Sequence, residues 1–381
     1  MLPRPARRRR PVAIAVLVVG ALVFALGLAE LTLRLLGAPR ALGELSYADA
    51  DGKPVTPQEA VARGLIVPVD PPGPRPRTMF APGVNFYLCY SDQDRLQRDW
   101  LDATGRVAVR INSFGLHERE IPKPKPTGQR RIVCVGDSFT FGWGIPEEAG
   151  WVRLLENDLR RDQGDVLTIN CGAAGTVCID EYVAGLTTRF HEFGPDAVIL
   201  TICLNDLIPN NGVLVFGPAP DTGSVLLDRI LAACGRTPLQ LDPAEDWVGY
   251  LLKMDRATAQ AAQLAHDDKP FEAMWSQGVP QKSLREAKAF CEARKIPFLV
   301  TLWPFLQGLG PGRYYPFQKL HDLVAADCKA AGIPFLDVTP ALQGTREEEL
   351  WVTPVDAHAN PKAQQLALPR IAAFVRQHLA W

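Results

Sequence analysis

Apolar and polar positions along the 381 residues fall into three regimes. The first is an uncharged run of 18 residues, Val12 to Ala29, extended past Glu30 and Arg34 by Leu31, Leu33, Leu35 and Leu36. As a helix the run spans roughly 27 Å, close to the ~30 Å of a bilayer's hydrocarbon core. It predicts one membrane-spanning helix over residues 12–36, and no second run of this length follows. The second regime, residues 37–130, is mixed. Pro54, Pro57 and the run from Pro68 to Pro76 break regular structure, and short extended segments such as Val107 to Ile111 follow. It reads as a linker and an arm that wraps onto the main domain. Pro122, Pro124 and Pro126 form a stiff connector into the third regime.

From Arg131 the pattern becomes one of short, nearly continuous apolar runs alternating with amphipathic stretches. The runs Ile132–Val135, Val166–Asn170, Ala197–Cys203, Pro297–Leu302 and Phe335–Asp337 predict strands. Trp151–Arg161, Tyr182–Phe193, Pro280–Lys295, Phe317–Ala331 and Pro361–Leu379 predict helices. Strands apolar on both sides and separated by helices imply an α/β fold: a parallel five-stranded sheet covered on both faces. Ligands of such sheets bind outside the carboxyl ends of the strands. A long insertion, about residues 209–279, separates the third and fourth strands. It carries the helix-like segments Val225–Cys234 and Trp247–Leu264 and reads equally as a peripheral excursion or as a cap over the site.

Composition refines this picture at one end only. The chain is 47% hydrophobic and 22% charged with a net charge of −1, a balance that gives no sign of nucleic-acid binding. Five arginines (Arg4, Arg7, Arg8, Arg9 and Arg10) crowd the first ten residues, directly before the apolar run. The positive-inside rule places residues 1–11 in the cytoplasm and residues 37–381 on the far side of the cytoplasmic membrane. The length of the run favours an uncleaved signal anchor over a cleaved signal peptide, whose apolar core has about 7–15 residues. Of the eight cysteines, Cys134, Cys171 and Cys203 fall in or beside core strands. The pairs Cys171/Cys178 and Cys291/Cys328 are disulfide candidates between which sequence does not choose, and no spacing suggests a metal site.

Four segments carry candidate chemistry. The first strand ends in Gly136-Asp137-Ser138, a turn that delivers a hydroxyl to the carboxyl edge of the sheet, where the Ser138 N–H can face a developing oxyanion. The second strand ends in Asn170-Cys171-Gly172-Ala173-Ala174-Gly175, a small-residue turn that allows a backbone N–H close to a ligand. The third ends in Leu204-Asn205-Asp206, where the Asn205 amide can donate to an oxyanion or close its own turn. Near the C-terminus comes Asp356-Ala357-His358, a carboxylate beside a histidine, as a general base requires. Phe139, Phe141, Trp143 and Trp303 are candidates for either an apolar pocket or ordinary core.

In this order along residues 131–379, the four segments resemble the blocks of the GDSL, or SGNH, hydrolase family. The short stretch Asn112-Ser113-Phe114-Gly115-Leu116 resembles a lead-in found in membrane-anchored bacterial members. The resemblance implies a three-layer α/β/α, flavodoxin-like domain over residues 131–381. It also implies a serine esterase acting through an acyl-enzyme: Ser138 as nucleophile, His358 as base with Asp356 behind it, and Ser138, Gly175 and Asn205 as the oxyanion hole. It calls for no metal and no cofactor. The implied partners are an ester substrate, lipid or O-acylated glycan, and the lipid bilayer. Two departures stand out. Cys203 occupies the glycine position of the family's GxND block, and Val355 stands where a DxxH block would have its Asp, leaving the spacing DxH. An O-acetyltransferase or deacetylase of envelope polysaccharide, and a non-catalytic scaffold of the same fold, are the competing readings.

Overall fold

The computed structural model describes residues 9–36, 45–70, 78–90, 98–174, 178–207, 224–227, 230, 275, 279–312, 315, 317–353 and 356–379. Most of the expected insertion, including nearly all of its two helix-like segments, lies outside them. The chain divides into two compact units, residues 1–44 with 217–240, and residues 45–216 with 241–381.

The first unit contains helix α1 (Arg9–Leu35). Its stretch Val16–Leu35 is long and apolar enough to cross a membrane, and its side chains are exposed, Phe24 by 73%. Glu30, the acid that interrupts the apolar run, accepts hydrogen bonds from the Val225 and Leu226 N–H groups at 3.1 and 2.8 Å and from the Ser224 hydroxyl at 3.0 Å.

The second unit is built on β6 (Arg130–Gly136), β7 (Val166–Gly172), β8 (Ala197–Cys203), β9 (Phe298–Trp303) and β10 (Phe335–Asp337), all parallel, in the order β10-β9-β8-β6-β7. β7, β8 and β9 are buried along their whole length, which explains their unbroken apolar runs. Starting from β6, the chain first adds β7 on one side and then β8, β9 and β10 on the other, the flavodoxin-like order. The winding therefore reverses at β6, and the crevice this opens lies at its carboxyl end. Helices cover the two faces in pairs: α4 (Trp151–Leu159) packs with the C-terminal helix Pro361–His378, and α5 (Ile179–Thr188) with α6 (Val279–Ala293).

The arm, residues 45–130, is more ordered than its prolines suggest. β1 (Leu45–Asp49), β4 (Asn85–Tyr90) and β5 (Arg106–Arg110) form an antiparallel sheet in the order β1-β4-β5. Between its first two strands lie helix α2 (Pro57–Ala62) and the antiparallel pair β2 (Ile66–Pro68) and β3 (Thr78–Phe80). α2 opens with a capping box: Glu59 N–H donates to Thr56 Oγ1 at 3.2 Å, and Thr56 N–H donates to Glu59 Oε2 at 2.8 Å. β4 buries Phe86, Leu88 and Tyr90 at alternate positions against Phe141, Ile145 and Val352.

The connector after β5 seals the outer edge of the main sheet. Asn112 Oδ1 accepts from the Phe114 and Leu116 N–H groups at 2.9 and 3.0 Å, folding the Asn112–Leu116 turn. That turn brings Glu118 beside β7, the edge strand. Glu118 accepts the Asn170 N–H and Glu156 the Thr168 N–H, each at 3.0 Å, so ladder groups that would otherwise be open are satisfied. Burial pushes the Glu118 carboxyl up to about 7 against the opposing charge of Arg153, which ion-pairs with both acids.

Candidate active site

The strand-to-helix turn after β6 positions Ser138. Asp137 caps the four-residue helix α3 (Ser138–Phe141) by accepting the Phe139 N–H at 2.9 Å, and Gly142 ends the helix at φ +81°. α3 lies directly on the strand ends. A Cβ on Gly136 would fall 2.8 Å from the Thr201 carbonyl oxygen, and one on Gly172 would fall 2.2 Å from the Phe141 nitrogen. Both glycines are therefore required by close approach of backbone to backbone.

His358 and Asp356 lie on β12 (Asp356–Ala359), which pairs antiparallel with β11 (Trp351–Thr353). A strand places residues i and i+2 on one face. The DxH spacing therefore brings both side chains together without the extra residue of DxxH. His358 Nε2 lies 2.8 Å from Ser138 Oγ, and His358 Nδ1 lies 2.5 Å from Asp356 Oδ1. Since an ionised carboxylate only accepts, Nδ1 carries the proton and Nε2 accepts from the serine hydroxyl. The imidazole stands between Phe139 and Trp143, with ring centroids 5.7 and 6.2 Å away.

The second oxygen of Asp356 is held by a residue that sequence reasoning missed. Tyr90, the last residue of β4 and fully buried, donates its hydroxyl to Asp356 Oδ2 at 2.7 Å. The alternation along Asn85–Tyr90 marks Tyr90 as inward-facing, but nothing local to it announces a partner 266 positions later. Burial alone would raise the Asp356 pKa. The His358 charge and the hydrogen bonds from His358 Nδ1, Tyr90 and the His358 backbone N–H outweigh it, so the carboxyl stays below its ordinary value. Burial likewise pushes His358 down, but Asp356, through charge and hydrogen bond, and then Asp137 leave the imidazole above its ordinary value.

The other expected residues are placed less fully. Asn205 lies in the 3₁₀ turn Leu204–Leu207 at the end of β8, and Gly175 falls outside the described residues. Asp206 closes that turn by accepting the Cys203 N–H and the Tyr182 hydroxyl, each at 2.9 Å. Phe139 and Trp303 pack in the main core, whereas Phe141 and Trp143 line a cavity beside the site. Among the described cysteines no disulfide forms, which removes both candidate pairs. The described groups that could hold a metal reduce to Cys178, Asp180 and Glu181, outside this constellation.

The pH dependence of any reaction using His358 as base follows from these shifts. The base must be neutral, so activity falls as pH drops through its pKa. The acid limb of kcat/KM is expected above the ordinary imidazole value of about 6.5. Tyr90→Phe removes a donor from Asp356 and leaves its negative charge less dispersed, which strengthens its hold on the imidazolium. The limb should move further up, while stability drops by about 1.5–3 kcal/mol for a lost hydrogen bond to a charged group. A pH–rate profile and a melting curve check both. An unmoved limb would reduce Tyr90 to a packing residue.

Residues 134–366 match the GDSL-like Lipase/Acylhydrolase family. No curated protein matches the chain. Among solved structures the chain is similar to a lipase/acylhydrolase from Enterococcus faecalis, with 16% identity, 66% of this chain and 97% of that one covered, and a TM-score of 0.39. It is also similar to a psychrotrophic esterase from Pseudoalteromonas sp., with 12% identity, 65% and 97% covered, and a TM-score of 0.37. A third is a member of the lipolytic protein G-D-S-L family from Veillonella parvula DSM 2008, with 14% identity, 66% and 100% covered, and a TM-score of 0.35. The family match spans more than half of the chain, and on it the chain belongs to the GDSL-like lipase/acylhydrolase family, hydrolases that act on esters.

Proposed function

We propose that this chain is a membrane-tethered serine esterase that cleaves carboxylic esters through an acyl-serine intermediate. Ser138 Oγ attacks the ester carbonyl carbon while His358 Nε2 takes its proton. The tetrahedral intermediate collapses, the C–O bond to the alcohol breaks, and His358 returns the proton to the departing alkoxide oxygen. Water then attacks the acyl-serine by the same proton route, releasing the acid and regenerating Ser138. Asp356 holds the imidazole in the required tautomer and stabilises its charged form. The Ser138 and Gly175 N–H groups and the Asn205 amide receive the oxyanion. The apolar helix serves as an uncleaved signal anchor, and residues 37–381 work on the extracytoplasmic side, in keeping with the arginines that precede it.

The observation that carries this reading is the continuous contact from Ser138 Oγ through His358 to Asp356, at the carboxyl end of the strand where the winding reverses. The test is covalent labelling of the full-length protein with a serine-directed fluorophosphonate, followed by mapping of the adduct. Labelling at Ser138, together with release of p-nitrophenol from p-nitrophenyl acetate, is expected. A folded protein that neither labels nor hydrolyses would leave a scaffold with the family's fold.

A further inference from the structure

A cavity of about 290 Å³ lies between the arm and the carboxyl end of β7. Its walls include Ile66, Phe80 and Phe86 from the arm and Phe141 from α3. At one end it reaches Trp143, which faces the His358 imidazole, and the Ala173-Ala174 turn. We propose that this cavity is an acyl-chain pocket completed by the N-terminal arm, taking the linear saturated chain of an ester whose carbonyl sits at Ser138. The inference rests on the serine-esterase reading and adds the substrate class.

Three observations carry it. The first is the chemistry of the wall. Of the charged groups at its margin, Asp49 pairs with Arg63 at 2.8 Å and Glu181 accepts the Cys178 N–H at 2.8 Å, whereas Arg189 lies over the Phe190 ring and against Met79 Sδ with its Nε lacking a hydrogen-bond partner among the described residues. What remains facing inward is mostly aliphatic and aromatic, a surface that water wets poorly and that an apolar ligand fills favourably. The second is the firmness of the roof. The Ala81 N–H donates to the Leu65 carbonyl at 2.9 Å, closing the β2–β3 pair, and just beyond β3 the Gly83 N–H donates to the Asn112 carbonyl at 3.0 Å, tying the roof to the Asn112–Leu116 turn. The third is provenance. The roof comes from residues before 90, outside the 134–366 that match the family, and the floor from residues inside that match, such as Phe141 and Phe190, so the arm completes a cavity that the family domain alone would leave open on one side.

The experiment uses the full-length protein in lipid nanodiscs and p-nitrophenyl esters from acetate to laurate. Each methylene that enters an apolar site should raise kcat/KM roughly fourfold until the cavity is full, after which the profile levels. Ile66→Trp and, separately, Val55→Trp fill the cavity from different sides. Each should lower the octanoate-to-acetate ratio of kcat/KM at least tenfold, a ratio that a general loss of folded protein would not change. A flat profile with acetate still cleaved through Ser138 would overturn the pocket and leave the esterase. So would an undiminished ratio in both variants, or a preference for benzoate over hexanoate. A preference for a succinate monoester that vanishes in Arg189→Gln would replace the alkyl chain by an anionic acyl group. No turnover of any ester, with Ser138 unlabelled, would instead remove the esterase reading itself.

Discussion

Ser138→Ala is expected to lower kcat on p-nitrophenyl acetate by about 10⁴–10⁶-fold, the range seen when a serine hydrolase loses its nucleophile but keeps its oxyanion donors. The prediction follows from position as much as from residue type. Ser138 Oγ is the group that meets His358 Nε2, and α3 is held by Asp137, Gly136 and Gly172 independently of that hydroxyl. The variant should therefore fold. Steady-state rates beside a circular-dichroism spectrum and a melting curve check this. A folded variant within tenfold of the unaltered rate would remove Ser138 from the chemistry.

Asp356→Asn carries the second large effect, roughly 10³–10⁴-fold in kcat. Among the described residues, the groups that hydrogen-bond this carboxylate all donate to it: His358 Nδ1, the His358 backbone N–H and the Tyr90 hydroxyl. An amide whose NH₂ faces His358 Nδ1 makes that nitrogen the acceptor and leaves the proton on Nε2, the tautomer that cannot take the serine proton. Nor can an amide supply the negative charge that stabilises the imidazolium formed during attack. Because Asp356 is also the main group raising the His358 pKa, the acid limb of the pH–rate profile should fall in this variant, opposite to its movement in Tyr90→Phe. A loss below tenfold with the limb unmoved would mean that another carboxylate serves His358, and the DxH spacing would no longer explain the site.

The sequence reading succeeded where the signal was local. Ala197–Cys203 and Phe335–Asp337 appear at the residues read from their apolar runs, and the other three strands of the main sheet differ only at their ends. A strand buried on both sides has to be apolar throughout, so its limits are written in composition. Helix limits were less legible. The helix expected over Tyr182–Phe193 starts at Ile179, where Glu181 accepts the Cys178 N–H, and gives way at Arg189 to the 3₁₀ turn Phe190–Phe193. The Phe190 ring folds back onto Gly185, where a Cβ would fall 2.6 Å from it, a contact that periodicity does not encode.

The arm was legible only in outline. Its prolines and the extended run Val107–Ile111 indicate a linker and an arm that wraps onto the main domain, but not that Leu45 pairs with Tyr90 and Asn85 with Arg110 in one sheet. Pairings between strands distant in sequence leave little trace in either strand, because each is stabilised by a partner that its own residues do not name. The residues drawn together around His358 divide along the same line. Ser138, Asp356 and His358 could be nominated from the chain alone, because a strand end, a glycine turn and a short polar spacing are local properties. That Tyr90 braces Asp356, and that the arm roofs a cavity beside Trp143, follows only from packing β4 against Phe141 and Val352. Local sequence sets which backbone forms and which groups are available. The burial of one element against another, which depends on shape across the whole chain, sets which of those groups meet.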